Sequence, residues 1–455
     1  MTELRRSIGV GRATAMVVGI IIGASIFVQP SAITAKVPSI PGILAVWFAA
    51  GALTLIGSLV VAELSSAWPR TGGVYVFLRD AWSPAIGFLW GWAMFWTMHT
   101  GIIAAIAMVF ARYLGTFIPL DDAGTRLAAM GGVIVLSAVN YRGVGPGSAV
   151  QAALTLVKVL AIVAIVAVAV AIGAPTALVS PEGAAAAAAA AAGAVPTPVA
   201  AIAPSAFFAA LVAGLFAFGG WHMVSYAAEE TVDPVRTIPR ALLYGTLLVT
   251  ALYVAVNAAY LHVLPLETVS SSTRVAADFA DATIGRGGRE LMSAVVVLST
   301  LGAMNGVILA GPRVYLAMAR DRLLFQWTAA VHPVYRTPHR AIVIQAIWAC
   351  VLVGTGSYKM LFTRVVYTEW IFFGLMAASL FVLRRRADYT PAYRMWGFPV
   401  LPAIFVLSTI AIVANQVIAE PVESATGLLL VLSGLPVYYF WARHSSTTTP
   451  RGDQP

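Results

Sequence analysis

Long apolar segments recur along this chain, separated by short stretches rich in Arg, Gly and Pro. A helix needs about 20 predominantly apolar residues to cross the hydrocarbon core of a bilayer. The pattern predicts about twelve such helices, numbered in chain order: 13–37, 41–67, 84–117, 125–142, 148–173, 204–230, 239–264, 288–320, 341–356, 362–383, 396–417 and 424–442. A membrane β-barrel would instead show short alternating segments. We therefore expect an all-α polytopic membrane protein.

Composition supports this class. Hydrophobic residues make up 60% of the 455 positions and charged residues 10%, and the mean hydropathy is +0.86. A soluble domain of this size would need more charge on its surface. The first apolar run is long and carries no small-residue cleavage site, so we expect a retained helix and not a signal peptide.

The net charge of +9 reflects membrane topology. With the N-terminus inside, nineteen of the 28 Lys and Arg residues fall on the cytoplasmic side and eight on the outer side, with Lys158 left inside the membrane. This asymmetry predicts that both termini are cytoplasmic in the plasma (inner) membrane. The basic balance is thus no sign of a nucleic-acid partner; the expected surroundings are the lipid bilayer.

The segmentation predicts a single transmembrane domain over residues 1–442. An Ala/Pro-rich stretch, 174–203, is expected to be the extracellular loop between helices 5 and 6. The polar end, 443–455, is expected to be a disordered cytoplasmic tail.

Two apolar segments contain small residues in mid-span. Helix 1 carries "GIIIGASIF" (19–27), and helix 6 carries "LFAFGGWHMVSYAAEE" with Gly219 and Gly220. Either stretch alone suits close helix packing, and Gly19 with Gly23 forms a GxxxG motif. If helices 1–5 and 6–10 are related halves, however, both interruptions fall in the first helix of a half. That arrangement favours a transporter site built from discontinuous helices.

An unwound segment in mid-membrane frees backbone groups that lipid cannot satisfy. N–H groups at the start of a half-helix suit a carboxylate, and C=O groups at the end of one suit an ammonium group. The expected donors are Gly23, Ala24 and Ser25. The expected acceptors are Ile21, Phe216 and Gly219. The ligand implied is an α-amino acid.

Four stretches resemble a known family: "GIIIGASIFVQPSAI", "AELSSAWPRTGGVYVFLRDAW", "LFAFGGWHMVSYAAEETVDPVRTIPRAL" and "SGLPVYYFW". The chain resembles the amino acid–polyamine–organocation superfamily, and within it the L-type amino acid transporter family and its bacterial relatives. The resemblance implies two inverted five-helix repeats, about 13–173 and 204–383, plus helices 11 and 12 over 396–442. It also implies sodium-independent amino acid transport, usually by exchange.

The resemblance also assigns roles at the two breaks. It implies carboxylate binding at the helix 1 break, although Gly-Ala-Ser here replaces the family's usual Gly-Ser-Gly. Phe216 matches the aromatic gate, and Phe218 matches an aromatic position that often carries a hydroxyl. Trp221 is expected either at the pocket wall or in packing, and His222 stands where many relatives carry Asn.

Lys158 lies about ten residues into the otherwise apolar helix 5, where a charge is costly and usually functional. The alternative is a side chain that extends to an interface. In the resembled family the matching lysine fills the space of a sodium ion in sodium-coupled relatives. That role implies a bridge from helix 1 to Ser299 and Thr300 of helix 8; a proton-coupled role is also open.

Glu369 is a second intramembrane charge, about a third of the way into helix 10 from outside. The resemblance places it at the distal substrate pocket, where it would pair with a cationic side chain, bond a polar one or carry a proton. A position in a wet outer vestibule is an equal alternative. His99 and His222 are weaker candidates, since a lone membrane histidine is more often packed than a proton relay.

Charged residues crowd the inner end of helix 6. Glu229, Glu230 and Asp233 are expected to form either a structural cluster or an inner gate with basic residues such as Arg5.

The leading hypothesis is a secondary transporter of neutral α-amino acids working by alternating access, through exchange. Alternatives left open are proton-coupled symport and transport of cationic amino acids or polyamines using Glu369. A nucleophile–base set, metal-ligand cluster or phosphate-binding glycine loop is absent from the sequence, so no enzyme, cofactor or metal is expected. Since Cys350 is the only cysteine, a disulfide-linked heavy subunit is not expected either.

Overall fold

The computed structural model describes residues 4–172, 202–285 and 287–446. The expected loop 174–203 lies outside the described residues except for its last two positions, and so does the tail from residue 447 onwards. The membrane helices run as follows: helix 1, Val10–Ile21 and Ser25–Lys36; helix 2, Ile40–Ala67; helix 3, Pro84–Leu114; helix 4, Asp122–Tyr141; helix 5, Val144–Ile172; helix 6, Pro204–Ala217 and Trp221–Glu230; helix 7, Pro234–Val263; helix 8, Gly288–Arg320; helix 9, His339–Thr355; helix 10, Tyr358–Leu383; helix 11, Val400–Ala419; helix 12, Pro421–Leu432 and Gly434–Ser446.

The prediction of an all-α polytopic membrane protein is confirmed. Within the described ranges, ten helices are long and apolar enough to span a membrane, and the two halves of helix 1 together make an eleventh. Helix 9 is apolar but has 17 residues. The protein is therefore a multi-pass membrane protein.

Several local features depart from a series of continuous transmembrane helices. Helix 3 contains a π-helical segment, Met94–Met98, and helix 12 is interrupted at Ser433. Short helices also lie between the spans: Val74–Ala81, Leu266–Ser271, Val275–Thr283 and Gln326–Ala329. Hydropathy alone does not reveal these short helices, because each is too short to form an apolar window of membrane length.

Helix 8 forms the centre of the molecule. Of its most apolar window 72% is buried, against 22% in helix 11 and 17% in helix 12. Helix 1 packs against helices 5, 7 and 8, while helix 7 packs along helix 2 and helix 8 along helix 3. The two interrupted helices are thus enclosed by the bundle, whereas helices 11 and 12 are peripheral.

Helices 1 and 6 are both broken in mid-span. The halves of helix 1 meet at 47°, with Ile22 outside the helical region of backbone space. Helix 6 stops at Ala217 and resumes as a 3₁₀ helix after Gly220, whose φ of 90° is readily adopted only by glycine. The inverted-repeat relation between the two halves of the chain stays a prediction.

The N-terminal segment is tied to the end of helix 6. Ser7 and Ile8 donate backbone hydrogen bonds to the Glu230 carbonyl at 2.8 and 3.0 Å, and Val232 donates to the Ile8 carbonyl at 2.9 Å. These bonds hold residues 7–8, which precede helix 1, against the end of helix 6, and they satisfy backbone groups at the end of the 3₁₀ segment.

Candidate functional site

The break in helix 1 presents backbone donors to the space between its halves. Ala24 caps the second half, which begins at Ser25, and the first N–H groups of a helix have no acceptor within it. The partial positive charge there suits an anion. Gly23 differs from expectation, because its N–H already donates to the Ile21 carbonyl at 2.9 Å. Ala24 and Ser25 are therefore the available donors.

Lys158 links helix 5 to this break. Its ammonium donates to the carbonyls of Gly19 at 2.8 Å and Ile22 at 2.6 Å, and the residue is 1% exposed. Ser299 of helix 8 donates to the Gly23 carbonyl at 3.1 Å. A positive charge thus lies against carbonyls at the end of a half-helix, where partial negative charge accumulates. Lys158 does not extend to a membrane interface.

Thr300 differs from its neighbour. Its hydroxyl donates to the carbonyls of Val296 at 2.8 Å and Val297 at 2.9 Å within helix 8 itself. A threonine in a helix readily bonds its own preceding turn, so Thr300 does not bridge to helix 1. The expectation that it would is wrong.

Tyr253 of helix 7 joins the two breaks directly. Its hydroxyl lies 3.0 Å from the Ile21 carbonyl and 3.1 Å from the Ala217 carbonyl, at the ends of the first halves of helices 1 and 6. The Ile21 carbonyl also accepts from the Gly23 N–H, so it is already engaged within the protein, with the single Tyr253 proton shared between two carbonyls. Sequence reasoning missed Tyr253 and expected Ile21 to receive the substrate instead. The available signal was a polar hydroxyl in an apolar run, which needs a partner when buried.

The glycines of "GIIIGASIF" have different surroundings. A Cβ on Gly19 would overlap Thr155 and Gln151 of helix 5, whereas a Cβ on Gly23 would meet only the Ala303 Cβ, at an ordinary 3.5 Å. Gly19 therefore allows close packing, as the GxxxG alternative proposed. Gly23 lines a cavity.

This cavity, of about 300 Å³, lies between the two breaks. Its volume is at the small end of ligand pockets. Helices 3, 8 and 10 complete its wall, which is apolar apart from Ser25, Gln29 and Glu369. The cavity therefore combines a polar backbone cradle with an apolar enclosure and one ionisable side chain.

Helix 6 contributes unequally to the cavity. Phe216, Gly219 and Trp221 line it, and the Phe216 ring is 40% exposed. The Phe216 carbonyl accepts a hydrogen bond from the Gly219 N–H at 3.1 Å. Phe218 is fully buried with its ring 5.0 Å from that of Tyr253. The turn after Ala217 directs Phe218 towards helix 7, so its expected contact with substrate is wrong.

Glu369 lines the cavity, and His222 lies behind it. The Glu369 Oε1 is 3.8 Å from the His222 Nε2, and the two side chains are 12% and 0% exposed. The expected direct contact of His222 with substrate is therefore wrong, because the residue is shielded by Trp221, Phe373 and Glu369.

Two of the three acidic residues at the end of helix 6 pair with helix 8. Glu230 forms a buried bidentate ion pair with Arg313, at 2.7 and 2.8 Å, and Glu229 pairs with Arg320 at 2.8 Å. Asp233 lies 3.8 Å from Arg236 on the exposed surface.

Arg5 is exposed, and among the described residues it forms no ion pair with this cluster. The expected pairing with Arg5 is replaced by Arg313. Arg313 is buried, at 1% exposure.

Within the described part of the chain, no group of three or more His, Cys, Asp or Glu side chains could hold a metal ion. A cavity between two discontinuous membrane helices, with helix ends facing it and a buried ammonium beside it, is typical of transporters.

Comparison with known proteins identifies the family. The amino acid permease family model matches residues 8–440. The chain belongs to this family, within the amino acid–polyamine–organocation superfamily, and is an amino acid transporter.

Similar proteins include exchangers and transporters from bacteria and animals. The serine/threonine exchanger SteT of Bacillus subtilis is 29% identical, with 96% of this chain and 97% of SteT aligned. The human large neutral amino acids transporter small subunit 2 is 30% identical, over 96% and 80% of the two chains. The human cystine/glutamate transporter is 26% identical, over 96% and 86%.

Proposed function

We propose that the protein exchanges neutral α-amino acids across the membrane without sodium. The observation that carries the proposal is the contact of Lys158 with the Gly19 and Ile22 carbonyls. The names of two similar proteins agree with this substrate class: one is a serine/threonine exchanger and one a transporter of large neutral amino acids.

In this proposal the substrate carboxylate accepts hydrogen bonds from the N–H groups of Ala24 and Ser25. The α-ammonium donates to the Phe216 carbonyl and to the backbone around Gly219. The side chain extends into the apolar part of the cavity, beside Trp221. The roles first expected of Ile21 and Gly23 pass to neighbouring groups, because their own backbone groups are engaged within the protein.

Sodium independence follows from the charge of Lys158. A cation bound to helix-end carbonyls at this break would occupy the region that the ammonium fills. Two cations so close would repel strongly in a low-dielectric interior. Ser299 completes the link between the break and helix 8, so Lys158 performs the structural task of a bound ion.

Alternating access would open each side of the cavity in turn. The wall includes Val28 and Gln29 from the second half of helix 1, which face the outside in the proposed orientation with cytoplasmic termini. On the inner side the Glu230–Arg313 and Glu229–Arg320 pairs hold the second half of helix 6 to helix 8. We assign these pairs to the inner gate; Asp233 and Arg5 lie at its exposed rim.

We further propose that residues 13–173 and 204–383 form inverted repeats within one transmembrane domain that ends with helices 11 and 12. The domain lies in the plasma (inner) membrane with both termini in the cytoplasm, as the arginine distribution supports. Cys350 lies half-buried in helix 9, so the chain would act without a disulfide-linked heavy subunit.

Counterflow in proteoliposomes tests the exchange proposal. Vesicles containing the full chain are loaded with unlabelled L-leucine, L-serine or L-threonine and given the same amino acid in labelled form outside. We expect uptake with internal amino acid, little uptake into empty vesicles, and the same rate when choline replaces sodium. A requirement for sodium would contradict the role of Lys158. Uptake into empty vesicles driven by a pH gradient would favour proton symport over exchange.

A further inference from the structure

Among the described residues that line the cavity, Glu369 is the one with an ionisable side chain. Its surroundings in the wall include Val366, Trp370 and Phe373, which offer no compensating charge. An ionised carboxylate in such a place is costly unless it is paired or hydrogen-bonded. The carboxylate therefore requires a partner. Because it lines the cavity, a group on the bound substrate can be that partner.

His222 is the nearest titratable group, 3.8 Å from Glu369 and fully buried. Neither ring nitrogen of His222 has a hydrogen-bond partner in the described part of the chain. The ring instead contacts the aromatic rings of Trp90, Trp221 and Phe373. A buried polar group without a partner is rare and calls for an explanation.

Other titratable side chains lie around the pair, and none of those described forms an ion pair with Glu369 besides His222. Tyr226 of helix 6 contacts the His222 ring, and His99 of helix 3 lies beyond it, 3.1 Å from the Tyr315 hydroxyl of helix 8. Lys158 is bonded to helix 1. Arg313 is bonded to Glu230. No lysine or arginine among the described residues forms an ion pair with Glu369.

We propose that Glu369 and His222 hold a single negative charge that is neutralised either by one proton or by the cationic side chain of a bound amino acid. With a neutral substrate, the pair holds one proton, either on the Glu369 carboxylate or on the His222 Nε2. With a cationic substrate, the side-chain ammonium donates to the carboxylate and the proton is not taken up. This inference rests on the proposed function, because it assigns the distal end of the same cavity.

This charge balance predicts a further activity, the exchange of a cationic amino acid for a neutral amino acid and a proton. When a cationic amino acid enters and a neutral one leaves, one positive charge enters on the side chain. The proton that accompanies the neutral amino acid leaves in the opposite direction. The exchange is then electroneutral, and it raises the pH inside the vesicle. Exchange of one neutral amino acid for another moves no net proton.

Competition experiments test the shared occupancy. The probes are unlabelled L-lysine and L-ornithine, added against labelled L-leucine counterflow at about pH 5.5 and about pH 7.5, on either side of the range in which histidine ordinarily titrates. The half-inhibitory concentration of lysine, divided by that of unlabelled leucine, should rise by up to about tenfold for each unit by which the pH falls. A pH dye inside leucine-loaded vesicles should report alkalinisation when lysine is added outside.

Three variants assign the effect to the pair. Glu369→Gln should remove the pH dependence of the lysine-to-leucine ratio, and Glu369→Asp should restore it. His222→Asn should shift the pH at which the ratio changes. His262→Asn alters an exposed histidine at the end of helix 7 and should match the unaltered protein in ratio, rate and dye signal.

The unaltered protein alone can overturn the proposal. A lysine-to-leucine ratio that is the same at both pH values contradicts it, as does lysine uptake without alkalinisation. These outcomes are distinct from failure of the proposed function, which would abolish leucine–leucine counterflow itself.

Discussion

Lys158 and Tyr253 show how single side chains hold the broken helices in place. Lys158 satisfies carbonyls at the end of the first half of helix 1, and Tyr253 contacts the end of each first half-helix. Both residues bond backbone that lipid cannot satisfy. The cradle for substrate is therefore maintained by side chains that, in this structure, do not line it.

We expect Lys158→Met to abolish most exchange and to lower the unfolding temperature of the purified protein. The change leaves the Gly19 carbonyl without its donor, and each unsatisfied buried group costs about 1–3 kcal/mol. Counterflow and a thermal unfolding scan measure the two effects. Lys36→Met, at the exposed end of helix 1, is the control. Equal behaviour of the two variants would show that Lys158 has no such role.

Tyr253→Phe removes only the hydroxyl that joins the two breaks. We expect the apparent affinity for leucine in counterflow to fall by about fivefold, since a hydrogen bond contributes roughly 1 kcal/mol. The ring contacts with Trp47 and Phe218 remain, so the unfolding temperature should change little. An unaltered affinity would mean that the breaks keep their arrangement without this bridge.

At the scale of elements, helix 1 combines a packed half and a half that faces the cavity. Gly19 touches helix 5 so closely that a methyl group would overlap Thr155 and Gln151, while Gly23 has room for one. The same small residue thus serves packing at one position and ligand access four residues later.

Gly19→Ala should therefore affect mainly stability, and Gly23→Ala mainly leucine exchange. Gly19→Ala should lower stability by about 1–3 kcal/mol through overpacking, seen as a lower unfolding temperature. Gly23→Ala should leave that temperature nearly unchanged and weaken leucine exchange severalfold, because the methyl group enters the cavity wall. If Gly23→Ala lost stability while Gly19→Ala kept its stability, the assignment of Gly19 to packing and Gly23 to the cavity wall would be wrong.

At the scale of the whole molecule, the end of the bundle beside the N-terminal segment is held by ion pairs of unequal burial. Glu230 and Arg313 are 0% and 1% exposed, whereas Glu229 and Arg320 are both 33% exposed. Together they join helix 6 to helix 8, the most buried helix described.

Glu230→Gln should destabilise the protein by about 3–5 kcal/mol, since it leaves the Arg313 charge buried and unpaired. Glu229→Gln is the matched control and should cost no more than about 1 kcal/mol, the usual contribution of a solvated pair. Unfolding temperatures in one detergent compare the two. Similar small losses would show that Arg313 finds another partner or water.

Much of the fold follows from the sequence because lipid imposes a simple rule: apolar helices of a fixed minimum length. Lys158 was identifiable for the same reason, as a charge that lipid would not tolerate. Glycines at 23, 219 and 220 predicted the two breaks.

Other features depend on tertiary structure. The direction of Phe218 follows from the turn after Ala217, and the choice of Arg313 over Arg5 depends on how helix 8 lies beside helix 6. Tyr253 resembles any packed aromatic residue until the two helix ends are placed beside it.

The central claim is that an α-amino acid binds between the breaks of helices 1 and 6 beside Lys158. An experimental structure of the full chain with bound L-leucine tests it most directly. We predict the carboxylate at the N–H groups of Ala24 and Ser25, the ammonium at the Phe216 carbonyl, and the Lys158 ammonium still bonded to helix 1. Leucine bound elsewhere, or a metal ion in place of the Lys158 ammonium, would contradict the account.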